Sequence, residues 1–480
     1  MVESLRRKKL INSNSEFLIA LLAPAVIGVH LKFRPLTAQG YSRLLLTLGL
    51  SAVLWAHLLS GHDRSTHIIF FSELFYRDIL SDTLSLFYTL SALVIVAMTP
   101  RHQRKSQWVS SVMLFASLIT AFLHANHVVL LGLLWLASVP LFAKPLKHDQ
   151  TYLWSQVIAM ALFAVAASWL YFTQGRILPV STWLDSDLSA LSNTTIVGIA
   201  TLILICGSLQ QGLFPFHGIL KSAINRFEFP MLLLLSTANM GIYLIIRFGV
   251  PLINLNPEPF HNGVTLWISL VFIALAISAL TISNLRKFYV SIMCIQSSLI
   301  FTGYLQSDAL GEAGALVQWI VALVAGTGFG LCVWLFEART GTRRLTKSAG
   351  CFDKMPRLAI LFLIFGMAVV DVPSTLGFVG EDLLIHSILK ASPVEGVAVL
   401  AAMACASIAI YRSYVLLFLG RKLASHELIV DIAPREAYTF LAILVLLVGL
   451  GCYPQPLAKL TTRSTLHDGP AEPSHYTSAE

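Results

Sequence analysis

The sequence predicts an all-α protein that crosses a membrane many times. Of its 480 residues, 56% are hydrophobic and 12% are charged, and the mean hydropathy is +0.75. Apolar runs recur from residue 17 to residue 453, and most connections between them are short and polar. Because a bilayer offers no water to backbone polar groups, apolar runs of this length are predicted to be helices. This composition excludes an ordinary water-soluble globular domain.

The apolar runs divide into about fourteen spans, each near the length that a bilayer requires. In chain order they lie at residues 17–31, 42–59, 83–98, 109–123, 127–142, 153–172, 194–218, 229–248, 264–282, 288–305, 311–336, 358–389, 396–419 and 438–453. Residues 1–16 are polar, and no small-residue cleavage site follows the first run, so we expect the first helix to be retained.

The basic residues indicate topology rather than a nucleic-acid partner. The net charge is +8, but Lys and Arg lie in short connections, mostly after odd-numbered helices, as Arg101 and Arg343 do. Under the positive-inside rule these connections are cytoplasmic, and both termini lie on the outer side of the cell's inner (plasma) membrane. The cluster from Arg6 to Lys9 favours the opposite orientation. The partner that this pattern predicts is the lipid bilayer, with no nucleic acid.

The chain carries no motif for a cofactor or a metal. Its six cysteines are scattered and form no Cys-x-x-Cys pair: Cys206, Cys294, Cys332, Cys351, Cys405 and Cys452. This spacing indicates no disulfide framework, iron–sulfur cluster or structural zinc site. No nucleotide, flavin or quinone motif and no Ser-His-Asp set is visible. We expect no cofactor, no metal and no catalytic residue in this chain, so that any redox chemistry belongs to partner subunits.

Two apolar runs are interrupted by polar and helix-breaking residues. The seventh run breaks at Gly212 to Gly218, and the twelfth breaks at Asp371 to Gly380, five helices later. Two broken helices at matching positions are typical of inverted repeats that meet around a shared pathway. We predict helices one to three, two inverted five-helix repeats, and a last helix with a polar tail. The boundaries of these four parts are 1–106, 107–250, 251–422 and 423–480.

Motifs at these breaks resemble those of one membrane-protein family. Val372 to Glu381 reads VPSTLGFVGE, which is similar to the family's LPGTSGFVGE break, and Leu213 to His217 reads LFPFH, like its seventh-helix break. Trp334 to Arg343, Asp431 to Glu436 and Asp82 to Ser85 match further motifs. Together they resemble the antiporter-like proton-channel subunits of respiratory complex I, closest to the subunit M type. Relatives serve in Mrp antiporters, membrane-bound hydrogenases and DabB inorganic-carbon transporters.

The resemblance implies a fourteen-helix fold with a buried polar axis along which protons move. In that family the axis holds a glutamate in helix five, lysines in helices seven and eight, histidines in the second repeat and a glutamate or lysine in helix twelve. Here the lysine positions fall at Gln210 and Asn239, and Glu381 alone matches a proton-carrying group. Gln and Asn can hold a water chain but exchange no proton near neutral pH. The resemblance also implies partner subunits in a multi-subunit complex, with protons or monovalent cations as cargo.

The candidate pathway residues lie at the two breaks. Glu381 and Asp382 are predicted to open a half-helix, whose dipole favours a carboxylate, and Asp371 to end the preceding one, where the dipole disfavours it. Such opposed environments suit proton transfer or the holding of a cation. The alternative is that Glu381 caps backbone groups and Asp371 pairs with a neighbouring subunit. Lys221 lies one turn beyond His217, so it either replaces the relay lysine or snorkels at the helix end.

Two functions are consistent with the sequence. In the first, the chain is a proton- or cation-translocating subunit of an energy-coupling complex, either a subunit M-like part of an NADH-quinone oxidoreductase or a DabB-like part of an inorganic-carbon transporter. In the second, it is a non-conducting paralogue that docks partner subunits in a membrane arm. The replaced relay positions, Gln210 and Asn239, favour the second function, and the retained motif around Glu381 favours the first.

Overall fold

The computed structural model shows a bundle of helices joined by short connections. The residues that it describes are 2–33, 38–60, 68–70, 74–99, 107–143, 150–175, 179–180, 191–219, 224–255, 258–345, 350–420 and 430–455. Within these residues, ten helices are long and apolar enough to cross a membrane, and four shorter apolar helices accompany them. The prediction of a multi-pass helical membrane protein is therefore confirmed.

The first part of the bundle runs to the first predicted break and includes one hairpin. Its elements are α1 (Val2–Phe33), α2 (Ala38–Ser60), β1 (Ile68–Phe70), β2 (Phe75–Arg77), α3 (Ile79–Ala97), α4 (Gln107–Leu123), α5 (Val128–Ser138), α6 (Pro140–Ala143), α7 (Thr151–Gln174) and α8 (Asn193–Gln211). The strands pair antiparallel, with Ile68 opposite Arg77. The hairpin corrects the all-α prediction. It leads directly into α3, which Asp78 caps by accepting a hydrogen bond from the Ser81 N–H at 2.9 Å.

The second part of the bundle begins after residue 228. Its elements are α9 (Phe229–Ala238), α10 (Met240–Leu244), a π-helical turn (Ile245–Gly249), α11 (Val250–Asn254), α12 (Glu258–Thr281), α13 (Leu285–Leu305), α14 (Ala309–Thr340), α15 (Pro356–Val369), α16 (Leu376–Ala391), α17 (Pro393–Phe418) and α18 (Pro434–Cys452). The twelfth apolar run is broken as predicted, because α15 and α16 are separate helices.

The centre of the bundle is α14. The most apolar stretch of this helix is 100% buried, and the corresponding stretches of α13 and of Phe229–Asn254 are each 94% buried. α14 packs against α13, α15, α16 and α3. In α18, by contrast, 22% of the apolar stretch is buried. Apolar side chains on such a peripheral helix face outward, where lipid or a neighbouring subunit takes the place of a protein core.

One predicted span is present, within Phe229–Asn254, but it is interrupted. The run at residues 229–248 is not continuous, because Asn239 adopts a left-handed conformation with φ 50° between α9 and α10. Asparagine is one of the few residues that visits this conformation readily. The helix also passes very close to α8 here, since a Cβ on Gly241 would lie 2.2 Å from the Gly207 carbonyl oxygen. The break at Asn239 therefore coincides with a backbone-to-backbone contact between two helices.

Candidate proton-pathway site

The break between α15 and α16 places a buried carboxyl group inside the bundle. α15 ends at Val369, and Asp371 and Ser374 adopt left-handed conformations with φ of 67° and 74°. The Val372 N–H donates to the Met367 carbonyl at 3.2 Å, so part of the unwound turn is satisfied within itself. Asp371 is 3% exposed. An ionisable group at such depth is expensive and by default marks a functional position.

Gln318 on α14 joins this carboxyl group to α13. Its Nε2 donates to Asp371 Oδ1 and Oδ2 at 3.1 and 3.0 Å and to Gln296 Oε1 at 2.6 Å. A carboxamide nitrogen carries two hydrogens, so Gln318 can serve both neighbours at once. The Gln296 Nε2 in turn donates to the Val369 carbonyl at 2.6 Å. Unwinding of α15 frees that carbonyl, and the Gln296 side chain satisfies it.

A second polar cluster surrounds the break at Asn239. The Gln211 Nε2 donates to Asn239 Oδ1 at 2.7 Å and to Ser297 Oγ at 2.8 Å. Ser297 Oγ also lies 2.7 Å from Asn239 Oδ1, to which it can donate. Ser297 directly follows Gln296 on α13, so the two clusters meet on adjacent residues. We call the series Gln211, Asn239, Ser297, Gln296 and Gln318, which ends at Asp371, the carboxamide chain.

The side chain of Gln210 contacts different groups from the side chain of Gln211. Its Nε2 lies 3.7 Å from the Met240 sulfur, and it lines a small internal cavity together with Gln211, Ser236 and Cys294. The volume of this cavity, about 10 Å³, is at the lower limit for one water molecule. The predicted position Gln210 thus lies beside the carboxamide chain rather than in it, and the sequence reasoning missed its neighbour Gln211.

Glu381 and Asp382 do not lie in the first turn of α16, where the helix dipole would favour a carboxylate. α16 begins at Leu376 after the cap residue Thr375, so Glu381 lies beyond the first turn. The prediction that Glu381 and Asp382 open the half-helix is therefore wrong, because the helix begins five residues earlier. The side chain of Asp382 is 61% exposed, and its Oδ1 lies 3.7 Å from His386 Nδ1. Asp382 is therefore a surface residue of this chain and not part of the buried site.

Asp371 also meets a different helix end from the one predicted. Its carboxyl group turns toward the first turn of α16, since a Cβ on Gly377 would lie 2.1 Å from Asp371 Oδ1. The positive end of the α16 dipole, rather than the negative end of α15, is therefore its neighbour, and it favours the anion. Asp371 and Glu381 interact electrostatically. Among the described residues Glu381 forms no hydrogen bond and no ion pair, so this half-buried acid has no fixed partner in the part of the chain that the structure describes.

At the first predicted break, the structure shows the end of a helix and a ring contact of His217. The helix α8 ends at Gln211, and Gly212 follows with φ 72°. The ring of His217 stacks on Phe214, with 5.4 Å between centroids and 22° between planes. Lys221 lies outside the described residues, so its predicted role stays a prediction.

The sequence reasoning missed two buried clusters of charged residues. The carboxylate of Glu337 accepts hydrogen bonds from Arg286 at 2.6 Å and from Arg343 at 2.7 Å, which joins the ends of α13 and α14. Arg77 donates to both carboxylate oxygens of Asp82, at 3.2 and 2.6 Å. The sequence feature that could have identified these clusters is a charged residue next to or within an apolar run. Such residues seldom occur in membrane helices without a partner.

Comparison with known proteins assigns the chain to a family. The family model described as NADH:quinone oxidoreductase/Mrp antiporter, TM, matches residues 146–408, which is more than half of the chain. The chain belongs to this family. NADH-quinone oxidoreductase subunit M of Rhodobacter capsulatus is 25% identical over 297 residues, which cover 59% of this chain and 57% of that relative. The chain spans about half the length of the curated relatives it matches.

Solved structures of this antiporter family share the fold. A chain of respiratory complex I from Thermus thermophilus with bound NADH superposes with a TM-score of 0.80 at 18% identity, over 94% of this chain and 98% of that chain. A chain of the Mrp complex from Dietzia sp. DQ12-45-1b gives a TM-score of 0.78 at 17% identity, over 96% of this chain and 52% of that chain. The helical membrane-arm fold expected from the family resemblance is therefore confirmed, and the fourteen spans and inverted repeats stay predictions.

Positions that the family resemblance assigns to proton carriage hold uncharged groups here. The resemblance puts the helix-five position at Trp135 or Leu136. Trp135 is buried and its Nε1 donates to Gln156 Oε1 at 3.2 Å, whereas Leu136 is exposed. At the helix-eleven position Ala322 is 1% exposed. That Gln210 and Asn239 stand at the two lysine positions stays a prediction from the resemblance. Around the break between α15 and α16, Asp371 is a buried ionisable side chain and Glu381 a half-buried one.

Proposed function

We propose that the chain is an ion-translocating, antiporter-like subunit of a larger energy-coupling complex, which carries protons or monovalent cations across the membrane. The observation that supports this most directly is the hydrogen bond from Gln318 to buried Asp371. It places an ionisable group at one end of an otherwise uncharged polar chain in the most buried part of the bundle. A protein that only sealed a membrane arm would have no need of a carboxyl group at that position.

In this mechanism the acids hold the ion and the carboxamides organise its path. Asp371 and Glu381 accept a proton or coordinate a cation. The carboxylate of Asp371 is stabilised by the hydrogen bonds from Gln318 and by the N-terminus of α16. Gln and Asn side chains cannot exchange a proton at neutral pH, so protons pass along water held by them. The cavity beside Gln210 and Gln211 has room for about one such water.

The assembly that we propose is a membrane arm of the complex I type in the cell's inner membrane. The curated relatives are named as subunit M or chain 4 of quinone oxidoreductases, which supports this assignment. An energised inorganic-carbon transporter of the DabB type is the other assembly, and copurification from native membranes distinguishes the two by the partner recovered. We further propose fourteen spans with both termini on the outer side, and inverted repeats at residues 107–250 and 251–422.

The second candidate function is a non-conducting paralogue that docks partner subunits. It is favoured by Gln210, Asn239, Trp135 and Ala322, none of which can carry a proton. Under this function the buried acids serve packing or subunit contact. The two functions therefore differ in what happens when the charge of Asp371 is removed.

The test is ion flux in vesicles that contain the whole complex. Asp371→Asn and Glu381→Gln keep size and hydrogen-bonding capacity while removing the ionisable group. We expect each to reduce proton or cation flux at least about tenfold, which corresponds to about 1.4 kcal/mol. Asp382→Asn is the matched control, since Asp382 is an acid of the same helix that is exposed. Unchanged flux in both pathway variants, with the complex intact, would favour the docking function.

A further inference from the structure

We propose that Asp82 and His124 together hold one exchangeable proton, at a second site that is separate from Asp371. Asp82 lies in the first turn of α3 and His124 directly follows α4. Both residues are 0% exposed. The site lies outside residues 146–408, which the family model matches.

The geometry of the His124 ring requires the extra proton. Its Nε2 lies 3.1 Å from Asp82 Oδ1, and its Nδ1 lies 2.8 Å from the Thr120 carbonyl oxygen. A carbonyl oxygen and an ionised carboxylate can only accept hydrogen bonds, whereas a neutral imidazole has one N–H to donate. A ring flip would put carbon atoms at both positions and lose both contacts. Two hydrogen bonds therefore need one proton more than neutral His124 and ionised Asp82 carry between them.

The surroundings place that proton on the imidazole. Arg77, whose guanidinium is always charged, donates to both oxygens of Asp82, so the two side chains form an ion pair. The carbonyl of Thr120 belongs to the last turn of α4, where the negative end of the helix dipole favours a cation. Trp55 stacks on the His124 ring, with 4.8 Å between centroids and 17° between planes.

Other charged groups near the site are already paired. On the α3 side, Asp78 forms an ion pair with Arg247. On the α1 and α2 side, Glu16 lies 3.7 Å from the exposed His57. The hydroxyl of Tyr243 donates to the Leu123 carbonyl at 2.5 Å, so it is not a base for His124. The ring of His124 therefore faces one ionisable acceptor, Asp82, among the groups described here.

The site lies close to the carboxamide chain. Tyr243 contacts the carbonyl of Leu123, the residue before His124, and it is one helical turn from Asn239, since its N–H donates to the Asn239 carbonyl at 2.9 Å. A proton stored at Asp82 and His124 thus sits beside the end of the chain that is remote from Asp371. Only the use of this proton in transport depends on the proposed function. The bound proton itself does not.

The experiment is ¹⁵N NMR of the full-length chain with labelled histidine, in its complex in lipid nanodiscs. The signal of His124 is assigned by its loss in His124→Gln, and that of His386 by its loss in His386→Gln. His386 is the matched control because it also lies beside an aspartate, Asp382, but in the open. We expect His124 to show two protonated ring nitrogens at neutral pH.

The result that overturns the proposal is a neutral His124 at neutral pH together with an ionised Asp82. The state of Asp82 is read in the same sample by infrared spectroscopy, from a protonated-carboxyl band that Asp82→Asn removes. A neutral His124 with protonated Asp82 still supports one shared proton. Because the readout is the proton and not flux, a chain that conducts nothing would give the same spectrum. Failure of this proposal is therefore distinct from failure of the transport function.

Discussion

Replacing Gln318 with Leu tests the carboxamide chain at its most informative point. The substitution keeps a side chain of similar size on α14 but removes the donor to Asp371 and Gln296. Each buried acceptor left without a partner costs about 1–3 kcal/mol in proteins generally. Interhelical hydrogen bonds measured in a membrane are worth about 0.6 kcal/mol on average and at most about 1.7. For two acceptors we therefore expect a loss of about 1–3 kcal/mol.

The consequence for transport follows from the same figure. If the carboxamide chain must be aligned for each transfer, a loss of about 1–3 kcal/mol lowers flux by about 5- to 160-fold. The assay is ion flux in proteoliposomes that contain the assembled complex, normalised to the amount of intact complex. Thermal unfolding of the same samples measures how much of this free energy is lost from the stability of the fold.

Gln156→Leu is the matched control for this experiment. Gln156 is also a buried glutamine, 3% exposed, and accepts a hydrogen bond from Trp135, but it lies on α7 away from the carboxamide chain. We expect it to lower the unfolding temperature and to leave flux within about twofold, a free-energy change below about 0.5 kcal/mol. If Gln318→Leu conducts like the unaltered chain, or if both variants lose flux equally, the carboxamide chain is not the path.

Three further predictions concern stability, measured by thermal unfolding in nanodiscs. Gly377→Ala should destabilise the fold by about 1–3 kcal/mol, because the new methyl group would overlap Asp371 Oδ1. Glu337→Gln should cost about 3 kcal/mol, because it leaves Arg286 without its anion. Burial opposes ionisation of Asp78, but Arg247 and the Ser81 hydrogen bonds outweigh it and lower the pKa of Asp78. The stability advantage over Asp78→Asn should therefore be constant at neutral pH and shrink below about pH 4.

Each of these predictions has an internal comparison. Gly132→Ala adds the same methyl group to a helix where nothing lies within 4 Å, so it should not destabilise the fold. Equal effects of the two alanine variants would contradict the close approach at Asp371. For Glu337→Gln, an unfolding temperature equal to that of the unaltered chain would mean that the ion pair contributes nothing. For Asp78→Asn, a difference that grows on acidification would contradict the sign of the pKa shift.

The membrane class and the twelfth-helix break could both be predicted from the sequence. The first follows from composition, because long apolar runs have few other stable environments than a bilayer. The second follows from a local property, since Pro373 and Gly377 occur within an otherwise apolar helix. The sequence was also sufficient to single out Asp371, because a carboxyl group next to a helix break is unusual in an apolar segment.

The break at Asn239 and the partners of Asp371 could not be predicted in this way. Pro230, the proline of this run, lies in the first turn of α9, where it breaks no helix, so it does not mark Asn239. The left-handed conformation of Asn239 is stabilised by Gln211 and Ser297, which come from other helices. The direction of the Asp371 carboxyl group was predicted wrongly, because chain order placed it at the end of α15. Its backbone conformation turns it toward α16. The effect of a helix dipole on a carboxyl group can be predicted only when the position of the side chain is known as well as its place in the sequence.

The sequence by itself determined that this chain is a helical membrane protein, that its twelfth run breaks, and which family motifs stand at that break. These are local properties, since they depend on the solvation of each segment and the conformational preferences of single residues. Only the tertiary structure decided which polar side chains meet. Gln318 and Asp371 are 53 residues apart, and His124 and Asp82 are 42 apart. Their contacts exist because packing of the helices brings them within hydrogen-bond distance, and no local pattern specifies that packing.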